Sequence, residues 1–159
     1  MAVPAVLLIL SLASTWPLAT APADSLPMGM ETSSTVPLFN VWTVWWNSQS
    51  AASGYSGYWD APIFYPQKGA FAFSEPMPLS IIAAPIIWAT GNRILAYNFL
   101  LILSLCLNGW ATFSLLRRLN FDLPVQWTGG VMMTLLPLIH SWVGVLQLVP
   151  VFGILWTIS

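Results

Sequence analysis

Apolar and polar positions alternate along this chain in long blocks, not residue by residue. Val3–Leu18 (VPAVLLILSLASTWPL), Ile94–Leu116 (ILAYNFLLILSLCLNGWATFSLL), Val125–Ile139 and the stretch from Ser141 to the end carry no acidic or basic side chain. Each block is of helical length, and Ile94–Leu116 is long enough for a bilayer crossing, which needs roughly 20 residues. A fifth apolar stretch, Met77–Thr90, is shorter and interrupted by Pro78 and Pro85, which predicts a re-entrant or interfacial segment. The pattern therefore predicts an all-α, polytopic transmembrane protein. Its parts are a first helix over 1–20, a large extracytoplasmic loop over 21–76, and a membrane region over 77–159.

The loop has its own pattern. Pro22, Pro27 and Gly29 stop the first helix. Phe39, Trp42, Trp46 and Ser50 then recur at three- and four-residue spacing, one aromatic face of a helix starting near Pro37. With no charge and several indoles, that helix is expected to lie juxtamembrane at headgroup level. The following GYSGYWDAPIFYPQKGAFAFSEP has too many glycines and prolines for a regular element. It has too many aromatics for a disordered linker, so an ordered loop is expected.

Arg117 and Arg118 close the longest apolar block and mark its cytoplasmic end, which puts Arg93 and the loop on the opposite side. Val125–Ile139 then returns outward, with Gly129 and Gly130 permitting close helix contact, and brings His140 to the face of the loop. The small-residue stretch after Trp16 and Pro17 leaves two readings of the first block, a cleaved secretory signal or a retained helix. The absence of Lys or Arg before it favours the retained helix.

Composition strengthens the membrane reading: 57% of the 159 residues are hydrophobic, 6% are charged, and ten are Trp. A soluble domain carries about a quarter charged residues. With a net charge of −1 and no basic run, nucleic acid is not an expected partner. The single Cys106 has no partner for an internal disulfide and no metal-ligand companions, so inert packing is expected. The last apolar stretch has no polar tail, the pattern of an N-terminal fragment of a longer chain.

The candidate chemistry lies in and around the loop. Glu31 follows the first helix and is a candidate general base, against the plainer reading of a solvated or capping acid. Asp60 in YWDAPIFYP suits an Asx-turn before Pro62, and Glu75 in SEP either caps the next helix or points into a cavity. Arg93 has the planar fork that suits phosphate, with a snorkelling role as the alternative, and Lys68 is a second candidate cation. His140, as the only histidine, excludes a multi-histidine metal centre and remains a candidate hydrogen-bonder. Gln147, inside an apolar run, is expected to hydrogen-bond between helices. No Walker-type loop, serine nucleophile elbow or paired-cysteine motif is present.

GMETSSTVPLFNVWTVWW, GYWDAPIFYP, FAFSEPMPLS and GNRILAYNFLLILSLCLNGWATFSLLRRL, with the LIHSWVGVLQL region, resemble the N-terminal part of a bacterial GT-C type polytopic membrane glycosyltransferase. That superfamily includes protein mannosyltransferases and bacterial lipid-sugar transferases. The resemblance implies transfer of a sugar from a polyprenyl-phosphate donor to an acceptor on the extracytoplasmic side of the inner membrane. It also implies a catalytic carboxylate in the first outer loop, matched here by Glu31 or, as a substitute, Asp24. Substrate contacts would come from Asp60, Glu75, Arg93, Lys68 and His140. Some members use a divalent metal ion, for which Glu31 is the implied ligand. Many relatives have His before the leucine of the LQ pair, where this chain has Val145. The superfamily enzymes are much longer, so this stretch is not expected to be active alone. The competing expectation is a non-catalytic membrane scaffold or transporter subunit whose Trp-rich loop anchors it at the interface.

Overall fold

The computed structural model describes residues 2–31 and 33–158, and among them the only regular structure is helical. The helices are α1 (Ala2–Ser14), α2 (Thr35–Ala52), α3 (Ala84–Thr90), α4 (Arg93–Arg118), α5 (Leu123–Thr134), α6 (Pro137–His140) and α7 (Phe152–Ile158). Short 3-10 turns cover Leu18–Thr20, Ala70–Phe73, Pro78–Ala83 and Leu146–Leu148.

α4 is the axis of the fold. The Asn92 side chain caps its start by accepting from the Leu95 N–H at 2.8 Å, and Arg117 and Arg118 place positive charge in its last turn, where the helix dipole favours cations. It packs against α1, α2, α5 and α7. Tyr97, Leu101 and Leu105 are fully buried on its inner face, in a core that also holds Val44 from α2 and Val149. Among the described residues α4 is the one helix long and apolar enough to cross a membrane, and half of its apolar window is buried within the protein. Shorter apolar helices cover Val3–Ser14, Pro78–Thr90 and Leu146–Ile158.

The glycines of the α5 block act at the α4 contact. A β-carbon on Gly109 would meet Thr134 Oγ1 and the Gly130 carbonyl, so the two backbones touch there. Gly129 faces Leu116 instead. The run predicted over Val125–Ile139 breaks between α5 and α6, because Pro137 cannot donate to a continuing helix and forces extended backbone on Leu136, whose ψ is 116°. From His140 the chain turns and descends beside α4, until Trp156 meets Trp110 edge to face at 5.9 Å.

Polar groups, not aliphatic ones, hold the irregular segments to this frame. Asn98 donates to the carbonyls of Pro22 and Ser25 at 2.7 Å each, and Asn92 donates to Ala23 at 3.0 Å, fixing the chain that leaves α1. Asn108 donates to Val149 O at 2.7 Å and accepts from the N–H groups of Val151 and Phe152 at 2.9 and 2.8 Å. Cys106 is buried, its thiol 3.6 Å from the Pro4 carbonyl. On the outside, Ile9, Met132, Leu138 and Ile154 are each more than 60% exposed, an apolar perimeter unusual for a water-facing surface.

Candidate functional site

The aromatic face predicted for α2 forms, but the loop covers it. Phe39, Trp42 and Trp46 stack in sequence at 5.6 and 6.0 Å. Phe71, fully buried, sets its ring edge against Trp42, Trp46 and Tyr58. Trp46 Nε1 donates to the Tyr58 carbonyl at 3.1 Å, so the indole's polar atom is satisfied by the loop. Facing the protein, α2 buries Asn40, Thr43, Asn47 and Ser48 beside Val41 and Val44. A hydropathy pattern hides this inversion, because the polar side chains are the inner ones.

Asn47 is the hinge pin of the loop. Its Nδ2 lies within hydrogen-bond distance of Pro76 O, Met77 O and Ser80 Oγ, at 2.6, 3.1 and 2.7 Å, and its Oδ1 accepts from the Tyr58 hydroxyl at 2.8 Å. Burial pushes the Tyr58 phenol above its ordinary pKa, with Tyr55 nearby adding to the effect. A raised phenol keeps its proton longer in the folded protein than in the unfolded chain. Its contribution is therefore intact below about pH 10 and is lost as pH rises through the elevated value. Wild-type protein is expected to lose stability over that alkaline window more steeply than Tyr58→Phe, which already lacks the Asn47 bond. Thermal unfolding of both proteins between pH 8 and 11 measures the difference, and parallel curves would exclude the role.

Glu31 turns inward. Its Oε1 accepts from the Gly29 N–H at 2.8 Å, its carboxylate rests directly on Gly144 where a β-carbon would overlap it, and Met30 N–H donates to Ser141 O at 2.7 Å. The segment 29–31 is thereby clasped to the 141–144 turn, beneath which Tyr97 donates to Val143 O at 2.9 Å. Glu31 Oε2 is buried and has no hydrogen-bond partner. As a metal ligand it stands alone: among the described residues no three His, Cys, Asp or Glu groups converge, and a hard divalent cation takes six or more oxygens. The donor set does not fit a tightly held ion.

Glu75 is the outward acid. It is exposed, and its Oε2 accepts from Gln147 Nε2 at 2.6 Å, so that glutamine bonds to the loop and not between helices as expected. On the loop side Glu75 edges an open cleft of about 720 Å³ with Thr35, Phe39, Phe64, Phe73 and Ser74. On the other side Gln147 borders a narrow apolar groove along α4, walled by Met77, Leu100, Leu103, Leu107 and Phe152. The pair thus stands where an aromatic, open cleft meets a surface suited to hydrocarbon. The Gln147 carbonyl oxygen is buried without a partner beside the groove.

The other predicted residues go elsewhere. Asp60 does not close its own turn before Pro62; it accepts from the Gly69 N–H at 2.8 Å and clamps the ends of the loop, because Gly69 takes a left-handed φ of 68° that turns its amide inward. Arg93 lies 4.3 Å from the Trp45 ring centroid, a cation–π contact at the start of α4. Asp24 and Lys68 are exposed. His140 Nδ1 lies 3.2 Å from Leu136 O and Nε2 3.1 Å from Ser14 Oγ. A carbonyl can only accept, so Nδ1 donates to it, and the ring ties α6 to α1. Asn47 and Asn108 are organisers that the sequence analysis does not single out, although an asparagine inside an apolar run is a signal for a buried backbone partner. No known family matches the sequence, and no curated protein or solved structure matches it.

Proposed function

We propose that this chain belongs to a multi-pass membrane glycosyltransferase of GT-C type, which transfers a sugar from a polyprenyl-phosphate donor to an acceptor outside the inner membrane. The observation that carries this reading is the Glu75–Gln147 pair at the junction of the aromatic cleft and the apolar groove. A lipid-linked donor needs hydrocarbon contact beside a polar reaction centre, and a carboxylate at that border is suited to take the proton of an acceptor hydroxyl. The multi-pass arrangement draws support from the short apolar helices packed along α4 and from the exposed apolar perimeter. In this reading Glu75 touches substrate, while Glu31 positions the loop through its clasp on Gly144. Arg93, held over Trp45, supplies positive charge near the outer helix end.

The test is transfer from radiolabelled polyprenyl-phosphate sugars by membranes carrying the full-length protein. Transfer above empty membranes, to a product that depends on added acceptor, is the expected result. No transfer with any donor tried would overturn the proposal and leave the membrane-scaffold reading in its place.

A further inference from the structure

The end of α4 opposite the loop carries a second cleft, outside the site described above. It has a volume of about 590 Å³ and opens between the first turn of α1, at Pro4, and the last turns of α4. Trp110 and Phe113 form an apolar wall, and Ser114, Arg117 and Arg118 form the polar rim. Two of the four basic side chains of the chain line this one opening, and no acidic side chain is among the described residues that do. A guanidinium presents paired donors that match the oxygens of a phosphate, and the Ser114 hydroxyl adds a donor one helical turn away. An aromatic wall below a charged rim has no use for a free inorganic anion, which would leave the apolar half of the cleft empty.

We infer that this cleft binds an anionic glycerophospholipid, its phosphate at Arg117 and Ser114 and its upper acyl chain along Trp110 and Phe113. This rests on α4 crossing the bilayer, since only then does its arginine end lie at headgroup level on the cytoplasmic side, where anionic lipids attract basic side chains. Its consequence for the fold is specific. Pro4 forms the opposite wall, so a lipid seated there would add to the Cys106–Pro4 contact in holding the start of α1 against α4.

Native mass spectrometry of the whole protein, released from micelles doped with equal phosphatidylglycerol and phosphatidylcholine, tests the inference. Wild type should retain phosphatidylglycerol in preference to phosphatidylcholine, and Arg117→Gln should lower that preference about fivefold. Arg117→Lys keeps the charge without the fork and should fall between them, which separates a phosphate site from a protein that has merely unfolded. Equal retention of both lipids, or a preference unchanged by Arg117→Gln, would overturn the inference. Displacement of the lipid by millimolar inorganic phosphate would also overturn it, in favour of a free-anion site. Carbonate extraction of membranes carrying the protein keeps the two readings apart. Protein released into the wash would sink the membrane reading itself, whereas protein retained without lipid preference sinks only the lipid site.

Discussion

Glu75→Gln should reduce sugar transfer by about 10²- to 10⁴-fold at matched expression, the range that a positioned general base contributes. The substitution keeps the shape of the side chain and its ability to accept from Gln147 Nε2 through the amide oxygen, so the cleft should stay intact while the proton acceptor is lost. Glu31→Gln provides the contrast. Its carboxylate faces Gly29 and Gly144 inside the clasp, and an amide oxygen can still accept the Gly29 N–H. Its expected signature is a modest loss of thermal stability with transfer changed far less than in the Glu75 variant. Rates measured for both variants in the same membranes decide the matter. If Glu31→Gln abolishes transfer while Glu75→Gln spares it, the acid that the family resemblance implies is the reacting one, and Glu75 is only a tether for Gln147.

Asn108→Leu should destabilise the protein by about 3–5 kcal/mol, because one side chain satisfies three backbone groups at the break between Val149 and Phe152. Leucine keeps the branched frame of asparagine with bulkier ends, so the loss does not come from a cavity. The Phe152 N–H, at the first turn of α7, has no helical partner to fall back on, whereas the Val151 N–H also bonds Val149 O at 3.0 Å. In an apolar surrounding each unsatisfied group is costly. Release of this break should undock α7, ending the contact of Trp156 with Trp110 and exposing the 149–158 segment to protease. Thermal unfolding in detergent, read together with limited proteolysis, measures both effects. A change below about 1 kcal/mol would mean that the freed backbone groups find other partners, as they often do in membrane proteins.

The sequence by itself determined the all-helical class and the places of the main helices. Long apolar runs without the period-two alternation of a half-buried strand favour helices, and that local pattern places α1, α4 and α5 without tertiary information. Prolines and glycines marked where those runs stop, and the spacing of Phe39, Trp42 and Trp46 located the ring face of α2. What covers that face was not legible, since Phe71 reaches it from almost thirty residues downstream. Nor could spacing distinguish Glu31 from Glu75 as the outward acid. The difference lies in Gly144, whose missing side chain leaves room for one carboxylate, and in Gln147, whose amide holds the other at the cleft. Local pattern sets which segments become helices because it depends on neighbours in the chain. The tertiary structure alone decides the direction of each polar side chain, because a buried amide or carboxylate takes its orientation from backbone groups that folding brings to it from far away in sequence.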